Sequence, residues 1–343
     1  MKVSQILCAA GPVDAVTNQA LAWRRRFQAW GWEGEEYVAN VAPGVTPRVL
    51  RALRDYQPAG EPVVLHYSGH ASGLEDAVNG RTLLVSHNVT PARFFWAYQP
   101  VDAARSTLAR DQLAQLGRRA GALAGVSEYN AQELSALSGR DAGVIPVLFD
   151  DAALAAAGPE PAPGPPTVLF VGRLAPHKRQ DLVIQAFARF RRRQPDARLV
   201  LVGTSLNQEF EAELRRLADR LAPGAVSFHT GGISGEQLTA YYRRAHAFLC
   251  LSEHEGFCIP LLEAFHFGVP VIARDAGAVG EVVGEAGILL GAQDDVAVAA
   301  ELLSIVSSDP ELQAELRRRG RRRLEVYDAG ATAAKMRAAI ESL

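Results

Sequence analysis

Cysteine and long apolar runs are scarce in this sequence. The three cysteines, Cys8, Cys250 and Cys258, are odd in number and have no CxxC spacing, which argues against a disulfide framework or a structural zinc site and favours a reducing cytosol. No apolar run reaches the roughly 18 residues that a transmembrane helix needs. The first residues lack the longer apolar region of a secretory signal. We therefore expect a cytoplasmic protein, with the inner face of the membrane as an alternative location.

Lysine is also rare, and so is excess charge of either sign. The net charge is −2, so no global field indicates a nucleic-acid partner. Only three of the 36 basic residues are lysines, and Lys2 and Lys335 lie near the ends of the chain. Lys178 is internal. In a chain that otherwise uses arginine, an internal lysine indicates a position where the compact charge of an ammonium matters.

Short apolar runs alternate with helical patterns along the whole chain, which predicts parallel α/β structure. The length of 343 residues suggests two domains, because a single core stops growing near 250–300 residues. A Pro/Gly-dense stretch over 156–166 is the best linker candidate. We predict two Rossmann-like domains, 1–155 and 167–325, facing each other across a cleft, with a terminal helix over 326–343.

The strand candidates are identified by their apolar content and by the turn residues that follow them. In the first half they are VSQILCAA, PVVLHYS, RTLLVSHN and GALAGVS. In the second half they are TVLFVGRL, ARLVLVG, AVSFHTGG, AFLCLS and PVIARD. Ligands of open parallel sheets bind beyond the carboxyl ends of the strands, so the loops after these segments are where functional residues are expected.

The loop after TVLFV carries two cations, Arg173 and Lys178, ahead of a helix. A strand–loop–helix junction presents free backbone N–H groups and the positive end of the helix dipole. Arginine grips two oxygens in one plane and lysine supplies a point charge. The loop therefore suggests a diphosphate clamp, and the alternative is a surface loop with solvated basic residues.

The segment EGFCIPLLE places two carboxylates, Glu255 and Glu263, eight positions apart. The amides from Gly256 onward lead into a helix that should begin near Pro260 and end at Gly268, following the proline-in, glycine-out asymmetry. Carboxylates accept hydrogen bonds well from the vicinal hydroxyls of a sugar. The alternative is that Glu255 is a loop acid and Glu263 a helix-dipole acid.

Histidines follow two strand candidates of the first half: His66, His70 and His87. A histidine there could donate to a sugar hydroxyl or transfer a proton, and a structural role is the alternative. A zinc pair is disfavoured, because no HExxH or third ligand accompanies the histidines.

Two further segments have a functional and a structural interpretation. Asp294 and Asp295 could suggest a metal-binding acid pair, but before an apolar helix they fit an N-cap with a dipole acid better. The segment WRRRFQAWGW, 23–32, could rest on an anionic membrane. An amphipathic helix with one buried face is the favoured interpretation.

Together, FVGRLAPHKRQDLVIQAF and LSEHEGFCIPLLEAFHFGVPVIARDAGAVGEVV resemble the retaining family 4 glycosyltransferases (glycosyl transferases group 1) of GT-B fold. The E-x7-E motif of that family is matched by Glu255 and Glu263, and its spaced Arg–Lys pair by Arg173 and Lys178. The resemblance is specific over 167–290 and weaker before residue 60. The first-domain loop AAGPVDAVTN departs from the two-glycine loop common in the family.

The resemblance implies roles for the matching residues. Arg173 and Lys178 would hold the diphosphate, Glu263 the ribose hydroxyls, and Glu255 the donor sugar. His87 would lie beside the donor sugar. Backbone groups would contribute at Gly11 for phosphate, at Gly203 and Ile233 for the base, and along the sugar–phosphate junction at Gly256, Phe257, Cys258 and Ile259. The terminal helix would pack back on the first domain.

The function implied is transfer of a hexose from a nucleotide diphosphate sugar to an acceptor hydroxyl, with retention of anomeric configuration. The acceptor would be a carbohydrate or a lipid-linked sugar, with peripheral membrane contact as an option, and neither a metal nor another cofactor is expected. Two alternatives stay open: a nucleotide-sugar epimerase or phosphorylase of the same fold, and a non-catalytic nucleotide-sugar-binding scaffold.

Overall fold

A computed structural model describes residues 1–11, 14–41, 50–149, 154, 164–205 and 207–343. The chain divides into two compact units. One comprises residues 1–148 with 327–343, and the other comprises residues 149–326. The linker predicted over 156–166 lies outside the described residues except at 164–166. No helix among the described residues is long and apolar enough to cross a membrane.

The first unit is built on a seven-stranded parallel sheet with strand order β3-β2-β1-β4-β5-β6-β7. Its strands are β1 Ser4–Ala10, β2 Glu36–Val41, β3 Leu50–Ala52, β4 Val63–Tyr67, β5 Thr82–Ser86, β6 Ala122–Gly125 and β7 Gly143–Val144. Its helices are α1 Ala15–Ala29, α2 Leu74–Ala77, α3 Pro100–Arg119, α4 Glu128–Ser138 and, from the C-terminus, α12 Ala329–Glu341.

Local sequence explains how these elements begin and why the strands are buried. β4 and β5 are buried along their full length, as expected for the central strands of a parallel sheet covered on both faces. Asp14 caps α1 by accepting from the Thr17 N–H, and Ser127 caps α4 by accepting from the Asn130 N–H. Each cap satisfies a helix N–H group that has no partner within the helix.

The second unit repeats the same order over six parallel strands, β10-β9-β8-β11-β12-β13. Its strands are β8 Thr167–Val171, β9 Arg198–Val202, β10 Val226–His229, β11 Ala247–Cys250, β12 Val271–Arg274 and β13 Ile288–Leu290. Its helices are α5 Gln180–Arg191, α6 Gln208–Leu221, α7 Gly235–Arg244, α8 Ile259–His266, α9 Val279–Val283, α10 Val296–Ser308 and α11 Pro310–Val326.

Both sheets have the Rossmann strand order, with a switch point where the chain reverses its direction of sheet growth. In the first unit the switch lies between β1 and β4, and in the second between β8 and β11. Crevices that bind ligands in this fold lie outside the carboxyl ends of those two strands. The loops after β8 and β11 are the two cation- and acid-bearing loops of the second half.

Helix α12 is grouped with the first unit through contacts with α1 and the following turn. The guanidinium of Arg337 lies 5.5 Å from the ring centre of Trp30 and 5.6 Å from that of Trp32. Arg81 donates to the carbonyl of Leu343 at 2.7 Å. Met336 of α12 is fully buried. These contacts attach the last 17 residues of the chain, 327–343, to the first sheet rather than to the second.

Candidate functional site

Lys178 and Glu255 are brought together at the switch point of the second sheet, although 77 positions separate them in the sequence. The ammonium Nζ of Lys178 lies 2.5 Å from Glu255 Oε2, and the two side chains are 16% and 6% exposed. The other carboxylate oxygen, Oε1, accepts from the Ser252 hydroxyl at 2.7 Å. Burial alone lowers the pKa of Lys178, but Glu255 and the nearby thiols outweigh it and the pKa is raised. Lys178 is therefore a charged ammonium at neutral pH.

Glu263 lies in the first turns of α8 and has a partner that the sequence did not reveal. The hydroxyl of Tyr242, which is fully buried on α7, donates to Glu263 Oε2 at 2.5 Å. Burial raises the pKa of Glu263, and the hydrogen bond from Tyr242 opposes that rise. Glu263 and Glu255 thus have separate environments: one carboxylate is held by a phenol, the other by an ammonium and a hydroxyl.

The start of α8 combines a proline with unusual backbone geometry. The helix begins at Ile259 with Pro260 in its first turn and ends before Gly268, which has φ +66°, as the sequence predicts. Its N-cap, Cys258, has φ +72°. Such a conformation is uncommon for a residue with a Cβ and recurs at functional sites. This geometry sets the direction of the amides between Gly256 and Ile259.

Two cysteine thiols border the Lys178–Glu255 pair. Cys250 ends β11, and its Sγ lies 3.3 Å from the Ser252 hydroxyl. Sγ of Cys250, Sγ of Cys258 and a carboxylate oxygen of Glu255 all lie within 4.8 Å of one another. The hydrogen bond between the thiols and their burial raise the pKa of Cys258 well above its ordinary value, and the same hydrogen bond lowers the pKa of Cys250.

Arg173 and Gly203 follow the neighbouring strands β8 and β9 at the same sheet edge. Arg173 is exposed, and its carbonyl accepts from the Gln180 side chain at 3.0 Å. Gly203 has φ +150°, and a Cβ added there would lie 2.0 Å from the Gly172 carbonyl oxygen. The close approach of the two loops therefore requires glycine. Ile233 is half-buried one position before Ser234, which caps α7 with a capping box.

A second ion-pair cluster adjoins Lys178 and was missed in the sequence. Arg179 contacts Glu253, and its Nη2 lies 3.0 Å from Asp181 Oδ2. Arg274 on β12 lies 3.7 Å from Glu253. The backbone N–H of Glu253 donates to the His177 carbonyl at 2.7 Å. These contacts join the loop after β8 to the loop after β11. They could not be recognised in the sequence, because they form only when β8 and β11 lie side by side in the sheet.

In the first unit, His87 is the half-buried end of a hydrogen-bond chain whose other members, His66 and Gln5, are fully buried. His87 Nε2 lies 2.9 Å from His66 Nδ1, and His66 Nε2 lies 2.8 Å from Gln5 Oε1. The side-chain amide of Gln5 donates to Ala20 O and to Glu36 Oε1, which fixes Oε1 as the atom that faces His66. Burial holds the pKa of His66 well below its ordinary value and lowers the pKa of His87 to about 4.

This chain determines the tautomer of His87. His66 is neutral and donates from Nε2 to Gln5, so its Nδ1 carries a lone pair. That lone pair accepts the N–H of His87 Nε2. His87 is neutral as well, so its own Nδ1 is an acceptor. The arrangement favours His87 Nδ1 as the acceptor of a hydrogen bond from a hydroxyl group, rather than as a donor.

The remaining candidates of the first half and the acid pair have mainly local contacts. The Gly11 N–H donates to the Thr17 hydroxyl at 3.3 Å. His70 borders a cavity of about 390 Å³. Asp295 caps α10 by accepting from two backbone N–H groups, which confirms the N-cap interpretation of the acid pair.

The segment WRRRFQAWGW contributes to the interior of the first unit. Trp23 and Trp32 are buried, at 2% and 6% exposure. Arg24 is buried and pairs with Glu36. These residues are therefore unavailable to a membrane surface, and the amphipathic-helix interpretation accounts for the segment.

Solved structures share this architecture over nearly the whole chain. WaaG, a glycosyltransferase involved in lipopolysaccharide biosynthesis, aligns with a TM-score of 0.74 and 16% identity over 97% of this chain and 98% of that one. Anabaena Alr3699/HepE, solved with UDP and glucose, aligns with a TM-score of 0.76 and 17% identity over 100% of both chains. At these identities the likeness concerns the fold, which is GT-B.

Sequence comparison identifies the family of the matched segment. Residues 156–323 match the profile of glycosyl transferases group 1, and this part of the chain belongs to that family.

The curated relatives are matched over part of their length. A GDP-mannose-dependent alpha-(1-6)-phosphatidylinositol monomannoside mannosyltransferase of Mycolicibacterium smegmatis is 33% identical over 165 residues, 46% of this chain and 42% of the relative. A glycogen synthase of Mycobacterium tuberculosis is 30% identical over 197 residues, 56% of this chain and 47% of the relative. The chain thus spans less than half the length of these two relatives.

Proposed function

We propose that this protein transfers a hexose from a nucleotide diphosphate sugar to an acceptor hydroxyl, with retention of anomeric configuration. The observation that carries the proposal is the Lys178–Glu255 pair at the switch point of the second sheet, 2.5 Å apart and nearly buried. A structural ion pair could lie anywhere on the surface. This one lies where Rossmann sheets bind nucleotides, beside the start of a helix.

Leaving-group stabilisation is the role of the cations. Cleavage of the glycosyl–phosphate bond builds negative charge on the diphosphate and positive charge on the sugar. Lys178 has three N–H donors, so it can keep Glu255 on one and offer the others to a phosphate oxygen. Arg173, exposed in the same loop, adds a bidentate donor. Donors that are fixed before the reaction stabilise this charge without reorganisation.

The two glutamates bind different parts of the donor in this proposal. Glu263 Oε2 is engaged by Tyr242, which leaves Oε1 to accept a ribose hydroxyl. Glu255 meets the donor sugar, and the backbone from Gly256 through Ile259 lines the sugar–phosphate junction. The base of the donor nucleotide is assigned to backbone contacts near Gly203 and Ile233. In the first unit, Gly11 contributes to the phosphate loop.

His87 is assigned to a hydroxyl of the donor sugar, which it binds through Nδ1. Its neutral state and fixed tautomer support that role, because the Nδ1 lone pair is held in place by the His66–Gln5 chain. For the transfer itself we propose attack on the face from which the phosphate leaves, with a phosphate oxygen taking the acceptor proton. An inverted anomeric linkage in the product would contradict that mechanism.

The acceptor is assigned to the first unit. The cavity of about 390 Å³ there has polar lining residues, Asn40, His70, Ser72 and Arg105, and ligand pockets typically begin near ~300 Å³. Amide, imidazole and hydroxyl groups suit sugar hydroxyls, and Arg105 suits an anionic group of a glycolipid. The phosphatidylinositol monomannoside in the name of the M. smegmatis relative and the glycogen in the name of the M. tuberculosis relative are both consistent with this lining.

Replacement of Lys178 tests the proposed function. Lys178→Ala should lower kcat/KM for transfer by about 10²–10³-fold, the loss typical of one preorganised donor at a developing charge. Lys335→Ala is the matched control, because Lys335 is exposed on α12 and should keep full activity. Transfer unaffected by Lys178→Ala would remove this site from the mechanism.

Thermal-shift measurements across UDP-, GDP- and ADP-sugars identify the donor. A ligand that binds only the folded state at about 100 times its Kd stabilises it by about 2.7 kcal/mol. The nucleotide sugar that carries the matching base should raise the Tm of the wild type, and the rise should be smaller for Glu263→Gln. No shift with any nucleotide sugar would contradict donor binding.

The raised pKa of Lys178 bears on the phosphorylase alternative. A pyridoxal-phosphate lysine must lose its proton to form a Schiff base, whereas Lys178 is held as an ammonium by Glu255. The environment of Lys178 therefore suits contact with a phosphate. Absorbance of a pyridoxal cofactor in the purified protein would favour the phosphorylase alternative.

A further inference from the structure

Three side chains converge on one point beside Lys178, and the proposed reaction uses the side chain of only one of them, Glu255. Cys250 is fully buried at the end of β11, Cys258 is half-buried at the N-cap of α8, and Glu255 lies between them in the chain. Their two Sγ atoms and a carboxylate oxygen lie within 4.8 Å of one another. The proposed function gives the thiols no role.

We propose that Cys250, Cys258 and Glu255 form a binding site for a thiophilic divalent cation such as Zn²⁺ or Cd²⁺, and that its occupation withdraws Glu255 from Lys178. Two thiolates and a carboxylate are a donor set that zinc accepts, with a fourth position open. Cys258 is the partly exposed member and gives the ion a path from solvent.

The geometry requires small movements. With Zn–S near 2.3 Å and Zn–O near 2.1 Å, tetrahedral coordination separates ligand atoms by roughly 3.6–3.8 Å. The three atoms here lie within 4.8 Å of one another, so each has to move by about an ångström or less. Side-chain rotation of Cys258, which is only partly buried, can supply most of that movement.

Charge and protons balance in this step. Each thiol loses its proton to solvent as its S–metal bond forms, and Glu255 contributes one O–metal bond in place of its contact with Lys178. A divalent ion with two thiolates and a carboxylate has a net charge of −1. The ammonium of Lys178, which stays within the same pocket, compensates that charge.

The consequence for catalysis rests on the proposed function. An ion on Glu255 occupies the carboxylate that would meet the donor sugar, and it reorients the ammonium that would meet the diphosphate. Metal binding and donor binding should therefore exclude each other. The protein would be inhibited by thiophilic ions while hard cations such as Mg²⁺, which prefer oxygen ligands, have no effect.

Direct metal binding is the decisive measurement. The reduced protein is titrated with Cd²⁺, and the thiolate-to-metal charge-transfer absorbance in the ultraviolet is recorded. Wild type should give a saturable signal, and Cys258→Ser should weaken Cd²⁺ binding by more than about 100-fold. A loss of that size exceeds the roughly 10–100-fold expected when a residue that only hydrogen-bonds to a metal ligand is replaced. Cys8→Ser is the matched control, because Cys8 lies in the first unit and should leave the signal unchanged.

Three outcomes would overturn the site: no thiolate signal in wild type, an undiminished signal in Cys258→Ser, or loss of the signal in Cys8→Ser with its fold intact by circular dichroism. Cys250→Ser is measured in parallel, but because Cys250 is fully buried, the half-buried Cys258 carries the decision. Glu255→Gln should keep the charge-transfer band and weaken Cd²⁺ binding by about tenfold or more.

Transfer assays with and without Zn²⁺ distinguish failure of the metal-site proposal from failure of the proposed function. Zn²⁺ should abolish transfer by wild type, and a chelator should restore it. Each variant is compared with its own metal-free rate, and Zn²⁺ should lower the rate of Cys258→Ser by a much smaller factor than that of wild type. If the wild type transfers no sugar at all, the proposed function fails and the absorbance titration still decides the metal site. If Zn²⁺ binds but transfer and donor affinity are unchanged, the withdrawal of Glu255 from Lys178 is refuted.

Discussion

At the residue scale, the functional candidates are defined by their hydrogen-bond and ion-pair partners, which lie between three and 77 positions away in the sequence. The scarcity of lysine singled out Lys178, and the spacing of Glu255 and Glu263 singled out the acids. The partners of these side chains, Ser252 and Tyr242, carried no signal, because serine and tyrosine are common in strands and helices of any protein. They act only through a hydrogen bond that the fold creates.

Tyr242 should support donor binding through Glu263. Tyr242→Phe removes the phenol that donates to Glu263 Oε2 and leaves a largely buried carboxylate without that donor, which destabilises the fold by about 1–3 kcal/mol. The same hydrogen bond opposes the rise in the pKa of Glu263, so its loss raises that pKa further. We expect the KM for the donor to increase by about tenfold, measured by steady-state kinetics alongside urea unfolding.

The adjacent Tyr241 gives the matched control for that experiment. Its hydroxyl lies 2.9 Å from His229 Nε2 and has no contact with Glu263 among the described hydrogen bonds. Tyr241→Phe should leave the donor KM unchanged. Equal effects of the two substitutions would show that Tyr242 acts only through packing of α7.

At the element scale, the strands with continuous apolar runs were predicted and those with polar interruptions were not. β1, β4, β5, β6 and the first five strands of the second sheet lie within their predicted segments. β2 was missed because Glu36 and Asn40 interrupt its apolar pattern. Glu36 is nevertheless buried, since Arg24 and Gln5 satisfy it. β13 has only three residues, too few for a periodic pattern.

The loop after β12 fixes the position of the Glu255 loop through Gly277. Gly277 has φ +60°, and a Cβ there would lie 2.3 Å from the Glu255 carbonyl oxygen. Gly277→Ala therefore combines left-handed strain of about 1–2 kcal/mol with displacement of the loop that holds Glu255. We expect a loss of about 2 kcal/mol or more in stability and a fall in kcat/KM of at least tenfold, measured by chemical unfolding and kinetics.

Gly231→Ala is the corresponding control, because a Cβ at Gly231 meets no atom within 4 Å and the residue has no positive φ. It should change neither quantity measurably. If Gly277→Ala retains full activity, the Glu255 loop tolerates displacement and the assigned role of its backbone is wrong.

At the scale of the whole molecule, the two units have sheets of the same strand order. The second unit brings cations and acids to its switch point. The first unit brings the neutral histidines His66 and His87 to the carboxyl ends of β4 and β5, next to the switch point between β1 and β4. Burial lowers the pKa values of both histidines, so the stability of the whole protein depends on keeping them neutral.

His87 should make stability depend on pH in a window below neutrality. Its pKa is 6.5 when exposed and about 4 in the fold, so the unfolded state binds more protons between these values. Stability is therefore complete above pH 6.5 and falls as the pH falls to about 4, by up to about 3 kcal/mol. His87→Asn should reduce the difference between unfolding free energies at pH 7 and pH 4.5 relative to wild type.

The control is His246→Asn, since His246 is only partly buried in the second unit and the pKa of its imidazole is lowered less by burial. Its effect on the same pH difference should be smaller. A pH difference identical in wild type and His87→Asn would show that His87 titrates normally in the folded protein.

The sequence by itself determined the alternation of strands and helices, the two-sheet architecture and the identity of four candidate side chains, because periodicity, glycine and proline positions and spacing are local properties of the chain. The tertiary structure decided which side chains meet. Lys178 reaches Glu255 because β8 and β11, which are far apart in sequence, end at the same sheet edge. Tyr242 reaches Glu263 through a contact between α7 and α8, and Cys250 reaches Cys258 because α8 starts beside the end of β11. EGFCIPLLE contains both acids and one thiol, but their partners come from the loop after β8, from the end of β11 and its loop, and from α7, and only the fold brings them there.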